Sequence, residues 1–164
     1  MSRIIFIVLL LAGAAYVALS CGSLPATVAS HFDGTGSATG FMPRQTYEAF
    51  TLALLLGMPL LAVFGMSRAY RRKDGRLKLP NGDYWLAPER RERSVAFLLV
   101  HAQWFGCLLV LLVCRVHWMV LQANALQPPL LPYATAMGTL VLFFLGVAVW
   151  FGVLMLRFRR SADR

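Results

Sequence analysis

YATAMGTLVLFFLGVAVWFGVLML, residues 133–156, runs without one charged side chain. Crossing a hydrocarbon core takes ~20 mostly apolar residues in a helix, and this stretch has them. Working outward, three more segments meet the same test: about 4–22, 47–66 with Pro59 inside it, and 95–117 with His101 and Gln103 inside it. The chain is 59% hydrophobic and 14% charged, whereas a soluble domain carries about a quarter charged residues. The expected fold is all-α: one integral membrane domain, residues 1–164, built as a four-helix bundle. Residues 23–46 and 67–94 form its two larger loops.

The formal charge of +9 needs a location before it needs a partner. Of sixteen Lys and Arg residues, nine fall between Arg68 and Arg93, and Arg157, Arg159, Arg160 and Arg164 form the tail. The positive-inside rule then places both termini and the 67–94 loop in the cytoplasm, with 23–46 and 122–132 outside. Topology and attraction to anionic membrane lipid account for the basic bias, so no nucleic acid is expected.

Arg3, the apolar run after it and VALSCG invite a lipoprotein reading with cleavage before Cys21. Ala18 stands where a larger aliphatic residue belongs, so a retained first helix is expected. Ala14, Ala18 and Gly22 recur every four residues and predict a close-packing stripe. Cys107 and Cys114 share a helix face, and with Cys21 they make neither a disulfide framework nor a C-x-x-C metal site.

In the inner loop, Asp74-Gly75 and Asn81-Gly82 carry turn signals. Pro88 suits a first helical turn, where Glu89 faces the positive helix end and can pair with Arg93. Tyr84 and Trp85 have amphipathic rings that settle at headgroup level. With Pro88, Glu89, Arg90 and Arg91 they form either a juxtamembrane anchor or a docking surface for a cytoplasmic protein.

HFDGTGSATGF, residues 31–41, is the segment most open to a chemical reading. GTGSATG has the spacing G-x-G-x-x-x-G and no preceding strand, so it is not a dinucleotide fingerprint. As a calcium loop starting at Asp33 it fails at Ala38, where Gly is needed, and at Arg44, where Glu is needed. His31 and Asp33 alone do not make a zinc site, and no serine sits in a recognised nucleophile elbow. No metal or other cofactor is expected, and no enzyme activity. Gly34, Gly36 and Gly40 are expected to supply positive backbone angles in a tight outer cap.

Charges near hydrocarbon are expensive and tend to be paired or functional. His31, Asp33, Glu48, Arg115 and His117 are therefore expected to cluster at the outer face, as a loop anchor or a ligand site, with Asp33 or Glu48 paired to Arg115. His101 lies fourteen residues before Arg115 on nearly the same helix face, ~21 Å away along the axis. Trp104 and Leu108 fall on that stripe. A hydrogen bond from His101 to a neighbouring helix is expected rather than a proton relay.

LPATVASHFDGTGSATGF resembles the N-terminal signature of the DUF1648 family, through Leu24, Pro25, Val28, His31, Phe32, Gly36 and Gly40. YWLAPERR, residues 84–91, is similar to a stretch in the cytoplasmic loop of such proteins, so the resemblance spans 24–93. Ala29 replaces a usual proline, Thr39 a usual acid and Phe41 a usual tryptophan. The resemblance implies a bacterial inner-membrane protein of the SdpI-like type, associated with toxin immunity and signalling. The expected function is non-enzymatic binding or sensing of an extracytoplasmic peptide or protein. A small transporter or accessory subunit, and a metal-dependent membrane enzyme, are the alternatives.

Overall fold

One helix organises the molecule. In the computed structural model, which describes residues 1–72, 77 and 79–159, α4 (Pro88–Asn124) packs against each of the other three long helices. These are α1 (Ser2–Ser20), α2 (Arg44–Arg71) and α5 (Tyr133–Arg159). A short 3-10 turn, Cys21–Ser23, leads from α1 to strands β1 (Thr27–Phe32) and β2 (Ala38–Pro43), and the four-residue α3 (Gly82–Trp85) precedes α4. All four long helices are long and apolar enough to cross a membrane. At 37 residues, α4 is on the order of 55 Å long, well beyond the ~30 Å hydrocarbon thickness.

One expectation about architecture is corrected. The fold is mostly helical, not all-α, because residues 27–43 form an antiparallel hairpin. Its strand signal is weak in sequence, with glycines interrupting a few β-branched residues. The four helices of the expected bundle are unequally engaged. α1, α2 and α4 pack mutually, while α5 rests principally on α4. The helices also outrun the expected spans, since α2 begins at Arg44 and α4 at Pro88, where Pro occupies the first turn as predicted.

The buried stripe of α1 is Phe6, Leu10, Gly13 and Val17, continued by Cys21. The small-residue stripe Ala14, Ala18 and Gly22 is therefore not the packing face: Ala18 and Gly22 are exposed. Gly13 is the small residue that matters, because a Cβ there would lie 3.0 Å from Cys114 Sγ. Deeper in the same cluster, Gly106 of α4 admits Phe6 of α1 and Val63 of α2. Beyond the cluster, α4 turns a polar seam toward α5. His101 Nε2 meets the Trp150 carbonyl at 2.8 Å, and Trp150 Nε1 donates back to the His101 carbonyl at 2.9 Å. Fourteen residues on, Arg115 Nε donates to Thr139 Oγ1 at 3.3 Å. The expected shared face of His101 and Arg115 is thus observed, and so is the bond from His101 to a neighbouring helix.

Side chains from the 81–94 segment secure the other end of α5. The last turn of a helix leaves carbonyls without partners. Asn81 Nδ2 donates to the Phe158 and Arg159 carbonyls at 3.2 and 3.1 Å, and Trp85 Nε1 to Phe158 at 3.0 Å. Arg91 serves α2 in the same way, donating to the Arg72 carbonyl at 2.7 Å. Arg157 lies over the Trp85 ring and Arg90 over Tyr84. Tyr84, Trp85, Arg90 and Arg91 therefore all make contacts within the chain, while Pro88 and Glu89 remain exposed. The turn expected at Asp74-Gly75 lies outside the described residues.

The hairpin is clamped from three directions. Asn124, at the end of α4, accepts from the Ala29 amide and donates to the Ala29 carbonyl, both at 2.9 Å. It stands in for a third strand. The Leu131 amide donates to the Gly36 carbonyl at 2.8 Å, and Ser37 bridges to Leu130. On the far side, the Arg44 amide donates to Ala26 at 2.9 Å while its guanidinium reaches the Leu24 carbonyl at 3.1 Å. Of the three glycines expected at positive backbone angles, only Gly36 has one, at φ 87°. Gly40 is needed for space instead, facing His31 across the strands, and Gly34 stands in the open. A Cβ on Gly36 would also strike the Leu131 carbonyl. Gly36→Ala should therefore cost ~1–3 kcal/mol, and Gly34→Ala close to nothing. Thermal unfolding of both variants in detergent checks the contrast.

Candidate functional site

Below the hairpin, between α2 and α4, lies a recess of about 290 Å³. Met42, Phe50, Leu54 and Val116 form apolar walls; Ser30 and His31 stand at the hairpin side, and Tyr47, Thr51 and His117 supply the remaining polar groups. The hairpin geometry sets His31 there. Register shifts on both sides of His31 pair it with Gly40 and bulge the strand, and such bulges re-aim side chains. The imidazole is exposed, with Ser30 Oγ 3.1 Å from Nδ1.

His117 is the opposite case, fully buried with both ring nitrogens occupied. Nδ1 lies 2.9 Å from the Tyr47 hydroxyl of α2, and Nε2 lies 2.8 Å from Ser20 Oγ of α1. The directions follow from counting hydrogens. Ser20 has one, which it gives to the Tyr16 carbonyl at 2.6 Å, so Ser20 Oγ accepts from His117 Nε2–H. In the neutral ring Nδ1 is then the acceptor, and Tyr47 donates to it. One chain of bonds, Tyr47 to His117 to Ser20 to the Tyr16 carbonyl, ties three helices together. The Tyr47 ring stacks on His117 and the Tyr16 ring meets it edge-on, at 5.7 and 5.4 Å between centroids.

The expected five-residue cluster is only partly assembled. His31 and His117 share the recess. Arg115, two residues before His117, points to the opposite side of α4, as a 3.6-residue period requires. There it meets Thr139, and its guanidinium lies 4.1 Å from the Trp118 ring centroid. Glu48 is half-buried on α2 and does not line the recess. Asp33 is engaged inside the hairpin turn, where its carboxylate accepts from the Thr35 hydroxyl at 2.6 Å and from the Thr35 and Ser37 amides at 2.8 and 3.0 Å. The expected pairing of Asp33 or Glu48 with Arg115 is corrected accordingly: Asp33 closes its own turn, and Arg115 serves the α4–α5 seam.

That turn has a titration signature. The Thr35 hydroxyl, then the amides of Thr35, Ser37 and Gly36, hold the exposed Asp33 carboxyl below its ordinary 3.8. A depressed folded value means that the contribution to turn stability is present above the ordinary value and lost as pH falls through the folded one. Thr35→Val should raise the Asp33 pKa, read from its carboxyl chemical shift. An unmoved titration would assign the depression to the amides alone.

Sequence reasoning missed Ser20, Tyr47, Thr139 and Asn124 as partners. Their bonds span 97, 70, 24 and 95 residues of chain. The available signal was polar residues within or beside apolar helices, where an unpartnered group is costly. Among the described residues, no group of three or more His, Cys, Asp or Glu could hold a metal ion.

No curated protein and no solved structure matches the chain. Residues 8–57 match the family model described as Domain of unknown function (DUF1648). The matched segment runs from within α1, through the hairpin, to within α2; it includes Ser20, His31 and Tyr47 but not residues 84–91, where the second stretch of resemblance lay. By this match the chain carries a DUF1648 domain, residues 8–57, in a protein with four candidate membrane helices.

Proposed function

We propose that this is a non-enzymatic, multi-pass protein of a bacterial cytoplasmic membrane that binds or senses an extracytoplasmic peptide or protein. The hairpin faces outward and both termini face the cytoplasm, as the arginines around 68–93 favour. One observation carries the reading: a hairpin fixed by hydrogen bonds to the Asn124 side chain of α4 and to the backbone of the α4–α5 connection overhangs a recess with His31 at its rim and Tyr47 and His117 within. A preformed cap over a small recess is what capture of one bulky side chain needs, because little ordering cost remains to be met on binding. At about 290 Å³ the recess is at the small end of ligand sites, suited to part of a ligand whose remainder rests on the hairpin. The basic end, built from Tyr84, Trp85, Arg90 and Arg91, is the corresponding place for a cytoplasmic protein partner.

Tagged protein recovered from native membranes, beside His31→Ala and Phe50→Trp variants, tests the proposal. A stoichiometric peptide or protein lost in both variants supports it. Recovery of the same companions, or of none, from all three samples would overturn it. Orientation is checked separately with Thr39→Cys, which should react with an impermeant maleimide in intact cells; two native cysteines are buried and the third is half-buried.

A further inference from the structure

A cavity of about 650 Å³ forms a groove on α4 between α1 and α5. Both helices lie against α4 and, among the described residues, share no substantial interface with each other, so the groove opens sideways. Its walls are apolar, including Leu9, Trp104, Leu111, Leu145 and Val149. His101 is its exception. The residue is only 6% exposed, with its ring stacked between Phe97 and Trp150. A carbonyl oxygen can only accept, so Nε2 carries the hydrogen that goes to Trp150, and Nδ1 of the neutral ring is an acceptor. Nδ1 has no protein partner. Every fully occluded polar side-chain atom among the described residues has one, so Nδ1 keeps some exposure, and the groove is the cavity that His101 lines. His117, by contrast, has both nitrogens satisfied within the protein.

We propose that this groove binds a membrane-dissolved alcohol, a compound with one hydroxyl and a linear apolar chain, and that the hydroxyl donates to His101 Nδ1. Three features select that chemistry. An acceptor facing hydrocarbon calls for a donor, and a phospholipid acyl chain has none. His101 lies six residues past Val95, where the apolar stretch begins, which is ~9 Å into the hydrocarbon. From there the groove runs toward Leu111, ten residues further along α4, or ~15 Å. A chain alcohol with its hydroxyl toward one membrane surface has the same polarity and direction. The volume also lies inside the ~300–1,000 Å³ range of small-molecule sites.

The test uses the full-length protein in bilayers of zwitterionic phospholipid. A long-chain alcohol bearing a mid-chain diazirine is photolysed beside its methyl ether, which keeps the oxygen but cannot donate. The alcohol should label residues of the 104–111 and 145–153 segments about fivefold more than the ether, the ratio one hydrogen bond supports. Excess unlabelled dodecanol should compete. Equal labelling by alcohol and ether, or labelling spread evenly over lipid-facing surfaces, would overturn the proposal. His101→Leu should abolish the preference. Val149→Phe, which obstructs the groove while leaving His101 and Trp150 bonded, should lower labelling by the alcohol to the level of the ether.

Discussion

Gly106→Val should destabilise the α1–α2–α4 core by about 3 kcal/mol or more, at the upper end of overpacking costs. A Cβ at this position would lie 2.6 Å from Val63 Cγ2 and 2.7 Å from Phe6 Cε2. Neither neighbour yields easily. Val63 is β-branched and restricted at χ1 in a helix, and Phe6 is buried, its ring part of the cluster that joins the three helices. Even Gly106→Ala requires Val63 and Phe6 to move away, at a smaller cost. Gly57 and Gly152, around which a Cβ meets nothing within 4 Å, provide the controls. Alanine at either should leave the unfolding temperature in detergent almost unchanged. A similar response at all three positions would mean that the close approach at Gly106 is not what holds the helices.

His117→Leu is the second large effect, expected at about 2–3 kcal/mol. Leucine fills much of the imidazole's volume, so the loss comes from hydrogen bonding. The two hydroxyl partners are affected unequally. Ser20 keeps its donation to the Tyr16 carbonyl and loses only an incoming bond, whereas Tyr47, 6% exposed, loses the acceptor of its own hydrogen. Tyr47→Phe removes that donor. The double variant should therefore be more stable than the sum of the two single losses predicts, with a coupling of about 1 kcal/mol. Additive losses would mean that the two residues do not act as one chain. Ser20→Ala should couple more weakly.

Apolarity made the four spans legible, because hydrocarbon imposes one requirement on every residue that faces it. The same uniformity hid which helices touch. In lipid an exposed Leu142 and a buried Leu98 are both acceptable, so hydropathy does not reveal that α5 rests principally on α4. Where the contact is polar the face was readable, as at His101 and Arg115, since a polar group in a span needs a partner somewhere around the helix. The hairpin was obscured for another reason. Part of its stability lies outside its own residues, in Asn124 and Leu131, and a strand edge paired to one side chain leaves no periodic mark. His31 and His117 were expected in one cluster and line one recess, but Tyr47 was counted only as the first residue of a span. The two-residue offset between Arg115 and His117 was itself enough to separate them onto opposite helix faces.

The attachment of α5 through α4 has a consequence for biosynthesis. Everything that shapes the recess, from Ser20 through the hairpin clamp to Leu131, precedes α5 in the chain. The hairpin end can therefore form before α5 has been added, and the late helix meets a surface already formed. Its docking completes the second wall of the groove and brings the Phe158 carbonyl to Asn81 and Trp85. Release of that clasp would open one wall of the groove and leave the hairpin end as it was, which makes the two ends separable in time as well as in space.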